Sequence, residues 1–180
     1  MDDTYQNRLN EVIAWLQKEF VGVRTGQATP ALLDSVKVET YGTYMPIEQL
    51  GSVGIEDART LRIVPWDNSQ VPAIERSIRD ADLGVSVSSD SSGLRVSFPD
   101  LTAERRTQLV KIAKNKLEEA RVAVRAVRDD VMKKIDAAQK AGEMGEDEKF
   151  TRRDAVQKSV DITNRTLEAV FEKKEIEISK

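Results

Sequence analysis

Leu9, Val12, Ile13, Leu16, Phe20 and Val23 fall on one face of a 3.6-residue repeat, with mostly polar residues filling the other positions. The spacing predicts an amphipathic helix over 3–25. Gly26 stands where a left-handed C′ residue would end it, and Pro30 keeps the helix from resuming. Between about 31 and 99 the period shortens to two. Val36, Val38 and Thr40 alternate with Lys37 and Glu39. Leu61 and Ile63, Val85 and Val87, and Leu94, Val96 and Phe98 alternate in the same way. Each run predicts a short strand. "DSSG" (90–93) has turn composition and predicts a hairpin between the last two. One helical stretch interrupts the strands. Val71, Ile74, Ile78 and Ala81 share a face, with Ser69 as candidate N-cap and Gly84 past the end.

From Thr102, the candidate cap, the long period returns. Leu109, Ala113, Leu117, Ala120, Val124, Val127, Val131, Ile135 and Ala138 succeed one another at steps of three or four. No strand sustains that length, so 102–140 predicts a single helix of roughly 55 Å. Gly142 and Gly145 punctuate the chain. Glu146, Asp147 and Glu148 then suit the positive end of a further helix, which carries Phe150, Val156, Val160, Thr163, Leu167 and Val170 along one face to about 177. Three helices with one apolar stripe each must bury those stripes together. The predicted fold is therefore α+β: an elongated three-helix bundle (1–29 with 101–180) and a small, strand-rich α/β domain (30–100) inserted after the first helix. Thr29, Pro30, Pro99 and Asp100 mark the two chain crossings and form a candidate hinge.

Composition removes several chemistries. The 180 residues include neither Cys nor His, so thiolate nucleophiles, cysteine zinc sites and the commonest general base are excluded. Neither a GxxxxGK[ST] loop nor a GxGxxG turn occurs. No catalytic residue, metal site or cofactor is expected, and the chain is not read as an enzyme. The N-terminal "MDDTYQNR" lacks a basic-then-apolar signal, which predicts a cytoplasmic protein without a membrane partner. Tyr41, Tyr44 and Trp66 are read as packing residues of the insert.

Net charge is −3, yet the charges are unevenly placed. The segment 30–100 holds eleven Asp/Glu against six Lys/Arg, whereas 105–134 holds ten Lys/Arg against four Asp/Glu. On a wheel with Val124 at zero, most of the apolar positions lie between about −60° and +20°, and Lys114, Arg121, Arg125 and Arg128 between about +40° and +100°. The arginines thus flank the seam. Two readings fit this ridge: solvation or pairing with acidic neighbours such as those of the third helix, or contact with the phosphates of RNA. A helical adaptor that binds other proteins through its bundle is the alternative overall function.

The order and spacing of several segments resemble the bacterial ribosome recycling factor family nearly end to end. They are "VRTGQATPALLD" (23–34), "VETYGTYMPIEQLGSV" (38–53), "RTLRI" (59–63), "ADLG" (81–84), "LTAERRTQLVKIAK" (101–114), "EEARVAVRAVRDD" (118–130) and "DAVQKSVD" (154–161). The resemblance implies an L-shaped, two-domain monomer. It implies that the bundle meets the large ribosomal subunit and its ribosomal RNA, and that the small domain faces elongation factor G. The GTPase of that factor would drive ribosome splitting and release of mRNA and tRNA; no DNA partner is implied. On the matching motifs it assigns RNA contact to Arg128, with Arg125, Arg121 and Lys114 on the same ridge, and to Arg105, Arg106 and Arg24. Gln27 departs from the family's usual "RTGRA", so a contact there would be weakened.

Overall fold

The computed structural model describes residues 2–180. The chain forms two compact units, Met1–Phe20 with Lys111–Glu175, and Val21–Val110 with Ile176–Lys180. These divisions differ from the 29/30 and 100/101 boundaries read from the sequence, and Thr29, Pro30, Pro99 and Asp100 all lie in the second unit.

The first unit is built from helices. Helix α1 spans Asp2–Val21, α4 spans Ala103–Lys140 and α5 spans Glu146–Ser179. Leu9, Leu16 and Phe20 are buried on α1, and Ala113, Leu117, Ala120, Val124, Val127 and Ile135 on α4. Thr102 caps α4 as expected, its Oγ1 accepting from the N–H of Arg105 at 3.1 Å. The other end closes with a Schellman pair. The N–H of Glu143 donates to Ala138 O (3.0 Å) and that of Gly142 to Gln139 O (3.1 Å), with Gly142 at φ +76°. On α5 the buried line runs Val156, Val160, Thr163, Leu167, Phe171. Two expectations fail here. Phe150 lies about 120° round the helix from Val156 and is 75% exposed. Phe171 takes the place expected of Val170, because it lies about 20° from Val160 on the wheel and Val170 about 80°. Thr163 is tolerated in the core because its hydroxyl donates to Ser159 O at 2.9 Å.

Helix α1 ends earlier than its pattern predicts, and Gly26 is not a left-handed C′ residue. The reason is Arg24, which is buried outside the helix and donates to the carbonyls of Gly84 (2.6 Å) and Pro99. Those contacts take the chain off the helical path.

The second unit holds six strands, where the sequence predicted four. Strands β1 (Lys37–Thr40) and β2 (Thr43–Pro46) form a hairpin. Helix α2 (Ile47–Leu50) leads into β3 (Gly51–Asp57), followed by β4 (Thr60–Pro65), α3 (Val71–Asp80), β5 (Ser86–Asp90) and β6 (Gly93–Ser97). The four-stranded sheet is antiparallel in the order β3-β4-β6-β5. Strands β2 and β3 escape the period-two pattern because both are largely exposed, with at most one buried position each. The turn between β1 and β2 is Tyr41–Gly42, both at positive φ (51° and 78°), as a two-residue primed turn requires. The helix α3 is not capped by Ser69. Gln70 precedes it without capping it, its Oε1 accepting from Thr40 instead, and Ser69 gives its N–H to Asp67 Oδ1 at 2.9 Å in the 3-10 turn before the helix. Leu32, Leu33, Val38, Leu61, Ile63, Ile74, Ile78, Leu94, Val96 and Phe98 belong to one buried cluster.

Gly93 closes the β5–β6 turn at φ +140°, and a Cβ there would run into the carbonyl oxygen of Ile63. Gly93→Ala is expected to cost on the order of 3 kcal/mol. A urea midpoint matching that of the unmodified chain would contradict this account.

Candidate functional site

The seam of α4 decides what each basic residue can do. Measured from Val124, Arg128 and Arg121 lie at about +40° and +60°, and Lys114 and Arg125 at about +80° and +100°. Lys111 and Lys133 lie farther out, at about +140° and +180°. The structure grades their pairing in the same order. Arg121 and Arg128, close to the seam, are 35% and 37% exposed and ion-paired. Arg121 donates to Glu118 Oε1 at 2.5 Å and to Glu168 of α5, tying the two helices together. Arg128 donates through Nε and Nη2 to Asp129 Oδ1 at 3.1 and 2.9 Å. Lys114, Arg125, Lys111 and Lys133 are exposed, and among the described residues none has an ion pair or hydrogen bond. Of the four expected ridge residues, two are therefore available outright and two are engaged. Lys111 and Lys133 join the available set. Their signal was in the sequence, as basic residues on the outer face of the same helix, but exposure rather than type decides their role.

The opposite flank of α4 serves the bundle. Asp130 accepts from Arg8 of α1 (2.6 Å) and from Lys134 (3.0 Å). Lys116 pairs with Glu19 of α1 at 2.9 Å and lies 5.8 Å from the ring centroid of Trp15. The hydrogen bonds from Arg8 and then Lys134 hold the Asp130 carboxyl below its ordinary value of 3.8.

Arg105, Arg106 and Arg24 belong to the second unit. Arg105 is exposed and bonds Gln108 Oε1 at 3.2 Å. Arg106 is half-buried, its Nε without a partner. Arg24 is not on the surface at all. It is 9% exposed, it grips two carbonyls, and its guanidinium carbon sits 5.6 Å from the Phe98 ring centroid. Burial, and secondarily the charge of Arg105, lower its pKa from the ordinary arginine value. Its geometry is that of an internal clamp, and a phosphate would have to displace both carbonyls. The chain crossings are pinned nearby: Ala28 N–H donates to Ala58 O (2.9 Å), Phe98 N–H to Arg59 O (2.7 Å), and Arg59 pairs with Asp100.

Tyr41, Tyr44 and Trp66 are not packing residues. They are about 70% exposed (70%, 70% and 71%). Tyr41 is fixed by its hydroxyl donating to Asp67 Oδ2 at 2.6 Å. That bond raises the tyrosine's pKa and lowers the aspartate's. Exposed, oriented aromatics of this kind are the residues that protein interfaces favour. Among the described residues, no helix is long and apolar enough to cross a membrane, and no group of acids could hold a metal ion.

Comparison with known proteins gives one answer. The ribosome recycling factor family model matches residues 16–178. The ribosome-recycling factor of Carboxydothermus hydrogenoformans is 43% identical over 173 residues, covering 96% of this chain and 94% of that protein. That of Bifidobacterium longum subsp. infantis is 39% identical over 176 residues, covering 98% and 96%. A solution structure of the ribosome recycling factor superposes with a TM-score of 0.77 at 34% identity, covering 97% of this chain and 93% of that one. A second similar structure comes from models of the T. thermophilus ribosome recycling factor and the E. coli elongation factor G bound to the E. coli post-termination complex. Its TM-score is 0.66 at 37% identity, covering 97% and 94%.

Two outcomes are expected from these contacts. Arg24→Ala leaves two carbonyls without donors and should cost about 3 kcal/mol, read as a lower urea midpoint. Asp130 has a depressed pKa in the folded state, so its contribution is complete above pH 3.8 and is lost as pH falls through the depressed value. Asp130→Asn should therefore lose stability less steeply than the unmodified chain below about pH 4 in acid titrations followed by circular dichroism. Parallel acid limbs would rule out this role for Asp130.

Proposed function

The chain belongs to the ribosome recycling factor family, and on that premise we propose that it binds post-termination ribosomes and, with elongation factor G and GTP, promotes their splitting into subunits and the release of mRNA and tRNA. The observation that carries the reading is the row of unpaired cations Lys111, Lys114, Arg125 and Lys133 along the outer flank of α4. Such a row is suited to the sequence-independent neutralisation of phosphates, and Arg128 adds a planar donor fork at its inner edge. The partner is large-subunit ribosomal RNA. Arg105 extends the same chemistry in the second unit, whereas Arg24 acts by holding that unit together. The similar T. thermophilus factor, described with elongation factor G on the post-termination complex, supports the choice of ribosome and translocase as partners.

In this reading the chain is a non-enzymatic, monomeric wedge that works in the cytoplasm. Its sequence has no phosphate loop and no histidine, so the force comes from the partner's GTPase. The strand-rich unit presents Tyr41, Tyr44 and Trp66 to the translocase.

The deciding experiment is light scattering of post-termination ribosomes mixed with this protein, translocase and GTP; intact ribosomes after full incubation would rule the function out. Neutralising about five phosphates should make log K for large subunits fall against log salt with a slope of roughly −3 to −4. Arg125→Glu and Arg128→Glu should each weaken large-subunit binding at least tenfold, about 1.4 kcal/mol, with an unchanged circular dichroism spectrum. Salt-independent binding would refute the phosphate model.

A further inference from the structure

Arg121 and Arg128 are both ion-paired, but the two pairs are built differently. Arg121 is held by two carboxylates, and one of them, Glu168, belongs to α5. Freeing Arg121 means undoing a link between helices. Arg128 is held by its sequence neighbour alone. A single oxygen, Oδ1 of Asp129, accepts from both Nε and Nη2. Adjacent residues on a helix project about 100° apart, so the guanidinium folds back along the helix surface to make this contact. Arg128 is 37% exposed and Asp129 53%. Among the described residues, no other acceptor contacts Arg128 and Asp129 has no other partner. The next acid, Asp130, turns the other way and serves Arg8 of α1 and Lys134.

A phosphate oxygen could accept the same two guanidinium N–H groups in place of the carboxylate oxygen. We propose that Asp129 is an intramolecular stand-in for phosphate at Arg128. Docking on RNA then exchanges one oxyanion for another, and Asp129 sets how tightly the first unit grips. The inference rests on the RNA-docking reading above and adds to it a residue that works against affinity. While the protein is free, Asp129 keeps the guanidinium pre-paired. Once a phosphate has displaced it, the released carboxylate stands beside that phosphate and repels it. Both effects lower affinity and favour release. Exposed pairs are weak, so the exchange is easy, and the expected effect is correspondingly limited. Because nothing else in the fold depends on Asp129, its removal changes the grip without changing the bundle.

The test measures equilibrium binding of the full chain to purified large ribosomal subunits at low salt. It compares the unmodified protein, Asp129→Asn, Arg128→Gln and the double variant, with circular dichroism as a check on folding. Asp129→Asn should tighten binding about three- to tenfold. In the Arg128→Gln background most of that gain should vanish, because without the guanidinium there is neither a pair to undo nor a phosphate held beside Asp129. An equal gain in both backgrounds would show that Asp129 contributes only background charge and would overturn the proposal. So would binding unaffected by Asp129→Asn, with the docking reading left standing. No measurable binding by the unmodified protein would overturn the docking reading and this inference together.

Discussion

The burial of one apolar line on α4 governs the first unit. Leu117, Ala120, Val124 and Val127 must face the other helices, because three amphipathic helices have nowhere else to put their apolar stripes. Once that line is fixed, the rotation of the helix is fixed, and so is the angular address of every charged residue on it. Residues just beside the line, Arg121 and Arg128, lie within reach of carboxylates and are used by them. The cations farther round, Lys111, Lys114, Arg125 and Lys133, have no ion pair among the described residues. The separation of latching cations from available cations is thus a by-product of packing.

The second unit depends on a different device. Arg24 sits where the chain leaves α1 and fastens two distant carbonyls, at Gly84 and Pro99. Its ring contact with Phe98 ties the same guanidinium to the apolar cluster. A buried cation is tolerable only when it is paired or hydrogen-bonded, and here two backbone acceptors serve that purpose. The residue that the motif resemblance marks for RNA contact thereby becomes the pin of a chain crossing.

Much of this was legible in the sequence. The long helix 102–140, its threonine cap and the glycine that ends it follow from period and cap chemistry, and the structure reproduces each. The hairpin at 90–93 was equally readable. What escaped was whatever tertiary contact decides. Strand β3 carries little burial and so no alternation. Phe150 and Phe171 are indistinguishable by type and differ only by their angle from the seam. Tyr41 and Trp66 look like core residues because aromatics usually are, yet the hydrogen bond to Asp67 holds Tyr41 on the surface. The available cations could be counted in the sequence, but which of them were engaged depended on carboxylates from other helices and neighbouring turns.

The absence of histidine and cysteine has a consequence beyond the chemistry it excludes. Histidine is the side chain that ordinarily changes charge between pH 5 and 8, and a cysteine does so when its pKa is lowered; the sequence has neither. The unpaired side chains proposed to face RNA on the outer flank of α4, Lys111, Lys114, Arg125 and Lys133, are lysines and arginine alone. Association through them would involve no histidine or cysteine. The heat of such an association, measured by calorimetry, would carry no buffer-ionisation contribution from a histidine or a cysteine of this protein. On the proposed docking, counterions would be the small species released as the ridge closes on RNA.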